Sequence, residues 1–342
     1  MEIQRESIFI SALRSFCKTI AIMFALFVAF LPLSILFSSL GSGKDHSSKT
    51  TLNILPDAEG HQHLLPESSP IILQIKIHGV IGAKELTNEN IETILVNSRL
   101  GILKNNRVKG VLLNINSPGG AVFDSDSIYR LITEYKNRFQ VPVFAYVDGL
   151  CASGAMYIAC AADKIYSCPV GVIGSVGVIM GPFFNLTETM DKWGIKSKML
   201  TVGNNKAALS PFKKWTENEG EEYQNIISYV YERFTNIVTN ARPNISKKDL
   251  VEVYGAKVFN AKKAQEIGFI DHSSASYLET LKALVDTAEI KQEYQVVELT
   301  PRNTIISNLL GAESALLKNF FPANPNYKDQ FSYLYNPTLS TN

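Results

Sequence analysis

Three stretches of this sequence place reactive or backbone-exposing residues where a strand should give way to a helix. The first is Val147-Asp-Gly-Leu-Cys-Ala-Ser-Gly-Ala-Met-Tyr-Ile-Ala-Cys-Ala-Ala-Asp163. The apolar, largely β-branched run before it reads as a strand, Asp148-Gly149 as a turn pair and the Ala-rich segment as a helix. Ser153 sits at the junction. A hydroxyl there stands above a sheet edge beside the unpaired first N–H groups of the helix. That is the arrangement an acyl-transfer nucleophile needs. The plainer alternative is a helix N-cap.

The second stretch, Asn114-Ile-Asn-Ser-Pro-Gly-Gly120, leaves a buried strand and enters a helix. Paired glycines let a backbone approach a ligand closely and offer N–H groups to it; an ordinary turn has the same composition. The third is Thr201-Val-Gly-Asn-Asn-Lys206-Ala-Ala-Leu-Ser-Pro211. Lys206 follows a short strand and a turn, and its plain reading is a solvated surface charge.

The histidines bear on these alternatives. Of five, His46, His61 and His63 fall in a Ser/Gly/Pro-rich stretch, where they read as solvated residues rather than a metal site. His78 and His272 belong to no motif-like loop, so a Ser-His-Asp triad lacks an obvious base in the stretch between them. The remaining variant is a neutral lysine. Its pKa must fall from about 10.4 to about 7–8, worth about 3–4 kcal/mol, which burial beside apolar groups can supply. Ser175, in Gly174-Ser-Val-Gly177, is a candidate to orient the amine, or a simple turn serine. Cys151 is an alternative nucleophile without a nearby histidine. The four cysteines fit neither a zinc site nor a disulfide framework and read as small apolar residues.

These residues need a frame. The chain has 342 residues and a net charge of +1. No basic stripe with interleaved aromatics points to nucleic acid, and no cofactor motif stands out. Residues 1–18 are short and mildly basic. Residues 19–40 are uncharged and apolar, long enough for an uncleaved transmembrane anchor. Flanking Arg14 and Lys18 favour a cytoplasmic N-terminus and an extracytoplasmic body. Residues 41–69 read as a linker. From Pro70 the pattern alternates: strands at Ile71–Ile77, Val108–Asn116, Val141–Val147, Lys164–Cys168 and Ile195–Val202, and helices at Thr87–Lys104, Val122–Arg138, Ser153–Ala162 and Thr187–Trp193. This predicts an α/β domain with a mainly parallel sheet. Helices follow at Thr216–Asn240, near Lys247–Val253, at Asn260–Ile267 and at Ala275–Glu289. Residues 291–342 read as a peripheral tail.

Taken in order, Asn116-Ser-Pro-Gly-Gly120, Ala152-Ser-Gly-Ala-Met-Tyr-Ile-Ala159 with Ala162-Asp163, Gly171-Val-Ile-Gly-Ser-Val-Gly177 and Asn205-Lys-Ala-Ala-Leu-Ser-Pro211 resemble successive motifs of the signal peptide peptidase A family. Val258 to Asp271 resembles a later element. The resemblance covers residues 70–290 and implies a Clp protease/crotonase-like fold of β-β-α superhelix units behind one transmembrane helix. It implies a membrane-bound Ser/Lys endopeptidase that clears signal-peptide remnants, in the short form whose identical subunits make a ring. Residue by residue, it assigns Ser153 as nucleophile, Lys206 as base, and Gly154 with Gly119 as oxyanion-hole amides, Gly120 being the fallback. Ala155 departs from the second glycine usual after the serine. Two other classes stay open: a crotonase-type acyl-CoA enzyme, with Asp148 or Asp163 as the nearby carboxylates, and a silent membrane scaffold.

Overall fold

A computed structural model describes residues 16–26, 50–62, 64–83, 85–301 and 332–334. The chain divides into two compact units, residues 1–48 and 49–342. In the first, residues 16–26 form helix α1. The remainder of the expected anchor, residues 27–40, lies outside the described residues. No helix among the described residues is long and apolar enough to cross a membrane.

The second unit runs β1 (Thr50–Leu55), β2 (Ile71–His78), α2 (Asn88–Asn97), β3 (Val108–Ser117), β4 (Gly119–Ala121), α3 (Val122–Phe139), β5 (Val143–Ala152), α4 (Gly154–Ala159), β6 (Lys164–Ser167), β7 (Val172–Gly174), α5 (Thr187–Lys192), α6 (Glu221–Ala241), α7 (Lys247–Asp249), β8 (Val258–Asn260), α8 (Ala261–Ile267), α9 (Tyr277–Thr287), β9 (Gln295–Pro301) and β10 (Ser332–Leu334). The main sheet has the order β1-β9-β2-β3-β5-β7-β8, with β6 beside β5. Its centre is parallel, as expected. The edge strands β1 and β8 run antiparallel to their neighbours, so the sheet is mixed.

The central strands are buried on both faces, which is why they read as continuous apolar runs rather than alternating ones. Leu73, Ile75, Leu113, Ile115, Ala145 and Val147 face a large core shared with α2, α3, α4 and α8. Ile72, Leu112, Phe144 and Tyr146 face Leu281, Leu284 and Val285 of α9. Burial on this scale, at about 25 cal/mol per Å² of apolar surface, fixes the strand register.

Three details differ from the sequence expectation. Residues 195–202 form no strand, and every one is exposed. The expected linker contributes β1, and the expected tail contributes β9, which lies inside the sheet between β1 and β2. Glu298 interrupts the apolar run of β9, yet it is buried and paired: Lys76 Nζ donates to Oε1 at 3.0 Å and Gln74 Nε2 to Oε2 at 2.9 Å.

Candidate active site

β5 carries the chain to Ala152, α4 begins at Gly154, and Ser153 makes the whole turn between them. Its backbone lies at φ +56°, ψ −119°, outside the regions open to a residue with a Cβ. Such a conformation costs about 1–3 kcal/mol and persists only where the surroundings enforce it. Here the Ser153 N–H donates to the Gly174 carbonyl at 2.9 Å and its own carbonyl accepts the Tyr157 N–H at 3.0 Å. All six residues of α4 are buried. The Ser153 side chain makes no capping hydrogen bond. The N-cap reading therefore fails: the residue is 1% exposed, and its hydroxyl is not engaged by the helix it precedes.

The ladder that fixes Ser153 also brings up Ser175. Ala152 pairs with Gly174 across β5 and β7, and Ser175 follows at φ +55° with its N–H donating to the Lys257 carbonyl at 2.7 Å.

The paired glycines arrive from β3. Ser117 pairs with Cys151. Its hydroxyl donates to the Gly79 carbonyl at 2.6 Å and accepts the Gly119 N–H at 3.1 Å. Gly119 sits at φ +97°. A Cβ on Gly120 would fall 2.0 Å from the Ile81 carbonyl oxygen, so this position must be glycine for the chain to pass. Asn116 Oδ1 accepts the Leu150 N–H at 3.2 Å and braces the Asp148-Gly149 turn. α4 packs against β4. Ser153, Gly154, Gly119, Gly120 and Ser175 thus gather at one end of the sheet. The free edge of β4 holds a strand: β10 lies antiparallel along it, with Ser332 opposite Ala121 and Leu334 opposite Gly119.

Lys206 stands apart from this cluster. It is exposed and lines a hollow of about 370 Å³ with Met199, Thr201, Asn205, Phe212 and others, none of them from the Ser153 cluster. Its loop is tied to its own neighbourhood. Asn205 Nδ2 donates to Glu222 at the start of α6. Glu219 accepts the Leu209 N–H at 2.8 Å, and a bond from Lys213 holds its carboxyl down at about 2.

The other candidates resolve simply. Cys151 and Cys160 are buried and unpaired. Burial pushes the Cys151 thiol far up and the Cys160 thiol to about 12, so neither is a ready thiolate. His78 lies 3.3 Å from Asn114 Oδ1 and His272 stacks on Tyr166 at 4.4 Å. Asp163 is structural: it accepts the Val143 N–H at 2.9 Å and pairs with Lys136 at 3.0 Å. No group of His, Cys, Asp and Glu among the described residues could hold a metal ion. The sequence reading missed Asp126, which meets Tyr157 of α4. Its only trace in the sequence is the Asp126–Arg130 spacing of an i,i+4 pair.

The fold and this cluster define an α/β domain with a strained serine at a strand-to-helix step, next to a glycine turn. The sequence matches the family model Peptidase family S49 over residues 136–291 and the Clp protease model over residues 73–171. Over residues 136–291 the chain is similar to peptidase family S49. It is 28% identical over 260 residues to a protein of Enterococcus faecium named as a candidate signal peptide peptidase SppA, covering 71% of this chain and 74% of that one. It is 32% identical over 195 residues to a protein of Methanocaldococcus jannaschii named as a candidate protease, covering 57% and 61%. With Protease 4 of Haemophilus influenzae the identity is 30%, and the match spans 62% of this chain and 36% of that protein. Among solved structures, a point mutant of ClpP1 from Listeria monocytogenes aligns at a TM-score of 0.40 and 18% identity, over 60% of this chain and 92% of that one.

Proposed function

We propose that this chain is a serine endopeptidase in which Ser153 is the nucleophile and Lys206 the general base. The observation that carries the reading is Ser153 itself: a non-glycine residue held at φ +56° whose hydroxyl caps nothing. Strain of this kind is retained where it aims a group at a substrate. The match to the peptidase family S49 model and the names of the relatives support peptide-bond hydrolysis as the reaction.

Ser153 Oγ attacks the substrate carbonyl while a neutral Lys206 amine takes its proton. The oxyanion rests on the Gly154 N–H and on an N–H of the Gly119-Gly120 turn. The Gly119 amide is already held by Ser117, so Gly120 takes that part unless the Ser117 contact opens. Losing one such donor typically costs about 3–4 kcal/mol. The protonated amine then passes its proton to the leaving nitrogen, and water, activated by the same lysine, releases the acyl group from Ser153. Ser175 orients the amine.

An exposed ammonium is a poor base, so this mechanism requires Lys206 to be desolvated by something beyond its own chain. Its arm carries unusual apolar exposure: Phe184 is 67% exposed, Trp193 79%, Leu200 86% and Val202 96%. Patches of this kind mark interaction surfaces. We take the cover to be a second copy of this chain in a ring, with Lys206 of one subunit reaching Ser153 of another. Substrates are extended peptides that add a strand to the edge of β4, as β10 does. With residues 19–40 as an anchor in the plasma membrane, the N-terminus cytoplasmic and the domain outside the cytoplasm, remnants of signal peptides fit this site. No cofactor, metal or nucleic acid enters.

A serine-directed fluorophosphonate probe tests the reading. Wild type should form an adduct at Ser153, identified by mass, and Lys206→Ala should lose it while remaining folded. A fully reactive Lys206→Ala protein would remove the lysine from the mechanism.

A further inference from the structure

The nucleophile sits at the head of a helix of six residues, too short to hold its own direction. What sets that direction is the grip of its side chains on neighbouring elements. Tyr157 is the long polar one. Its ring is fully buried, edge-on to Tyr129 at 5.4 Å and tilted against Phe234 of α6 at 5.0 Å. A tyrosine hydroxyl at such depth needs a partner. It finds Asp126 of α3: Tyr157 Oη donates to Oδ1 at 2.5 Å. The same oxygen accepts Arg233 Nε of α6 at 2.7 Å, and Oδ2 accepts Arg130 Nε at 2.9 Å. Partial burial disfavours the charge on Asp126, but the bonds from Tyr157, Arg233 and Arg130 outweigh it and keep the carboxyl below its usual range.

We infer that Asp126 is a positioning residue for the nucleophile. Through the Tyr157 hydroxyl and Arg233 it locks α4 between α3 and α6, and so sets the angle at which Ser153 Oγ and the Gly154 N–H are presented. The link to the reacting atoms is short, because the Tyr157 N–H donates to the Ser153 carbonyl. The inference rests on reading Ser153 as the nucleophile. Asp126 touches no substrate in this scheme. The same helix α6 begins beside the Lys206 loop, at Glu222, and reaches the clasp at Arg233 about 16 Å further along its axis, at 1.5 Å per residue. The clasp therefore joins the nucleophile helix to the helix that leads away from the base.

The test uses the full chain and the variants Tyr157→Phe, Asp126→Asn, Asp126→Ala and Ser153→Ala. Each is assayed for the rate of fluorophosphonate labelling, for kcat and KM on a fluorogenic peptide of small apolar residues, and for thermal midpoint. Tyr157→Phe removes one oxygen and should fold. We expect its labelling rate and kcat to fall together by about tenfold, with KM within about twofold of wild type, since small displacements of reacting groups act on the chemical step. Asp126→Asn keeps an acceptor for the tyrosine and should lose less than Asp126→Ala. Adding Asp126→Ala to Tyr157→Phe should cost less than the sum of the two single effects, because both break the Tyr157–Asp126 contact. Wild-type labelling and kcat per folded molecule in Tyr157→Phe and Asp126→Ala, with only the midpoint lowered, would overturn the inference. If Ser153→Ala is still labelled, the nucleophile assignment fails instead, and the two failures are told apart.

Discussion

Ser153 is buried and held on both sides by the core, whereas Lys206 stands exposed on a loop whose bonds run to Glu222 and Glu219. The nucleophile half of the proposed dyad is finished within one chain: strand, ladder, glycine turn and the Asp126 clasp all converge on it. The base half is not. A strained residue can be kept only by a rigid surround, so the nucleophile must be built into the core. An amine that has to lose its solvent needs a cover, and the arm that carries it is apolar and open.

The sharpest way to break this contrast is to separate the halves. Ser153→Ala and Lys206→Ala should each lower hydrolysis by about 10⁴-fold or more, on the scale seen when a nucleophile or its base is removed. If the base comes from a neighbouring copy, mixing the two inactive proteins, with subunit exchange, should restore part of the activity. Mixtures that stay inactive although exchange is demonstrated would put both residues in one chain and end the argument from exposure.

Next in size is the glycine turn. Gly120→Ala places a methyl 2.0 Å from the Ile81 carbonyl oxygen, so the backbone of β4 must move. Activity should fall about 10²- to 10³-fold, the usual cost of an oxyanion donor, and the thermal midpoint should drop as well. An alanine variant with wild-type kcat would exclude this turn from the oxyanion hole. A smaller effect is expected at the β4 edge. Deleting residues 302–342 removes the strand seated there and should lower KM for a short peptide about three- to tenfold, since a tethered competitor acts at high effective concentration. Peptide titrations of the two forms give the comparison.

The same contrast explains what was legible in the sequence. β2, β3 and α3 stood out because long apolar or amphipathic runs leave one solution. The Ser153 junction stood out because a strand signal, Asp-Gly and an Ala-rich run follow one another. Its positive φ did not: serine carries no mark of it, and only the Gly174 and Tyr157 bonds impose it. β9 was hidden by Glu298, whose partners Gln74 and Lys76 are more than two hundred residues away. The exposure of Lys206 agrees with the plain reading of a solvated surface charge; what stays hidden is any cover, because spacing along the chain says nothing about what lies over a loop. Asp126 was missed within the Val122–Arg138 helix, because its role depends on a tyrosine from another element.

Stability should show a pH signature away from the site. Asp271 is partly desolvated, which opposes its charge, but the Ile165 N–H, Arg242 and Lys164 together hold its carboxyl below the usual range. A depressed folded pKa stabilises the protein above the unfolded value of about 4, and that contribution is lost as pH falls through the folded value. Asp271→Asn should cost about 2 kcal/mol at neutral pH, the range for a hydrogen bond to a charged group. It should also flatten the loss of stability below about pH 5. Urea melts at pH 7 and pH 4 measure both. An unchanged acid limb would mean that Asp271 is not the group responsible.

The smallest expected effect guards the choice of nucleophile. Cys151 lies two residues before Ser153 in the sequence, and a thiol there could be confused with the hydroxyl in any labelling experiment. Yet it is fully buried, and burial pushes its thiol up, away from the thiolate. Cys151→Ala removes one sulfur from a packed site and should cost about 1 kcal/mol of stability, with hydrolysis within about threefold of wild type. A thiol reagent at neutral pH should leave native Cys151 and Cys160 unmodified and the activity intact, and should reach them only after unfolding. If instead the reagent inactivates the native protein and Cys151→Ala abolishes labelling, the reacting atom is sulfur, and the contrast between a finished nucleophile and an unfinished base must be redrawn around a different residue.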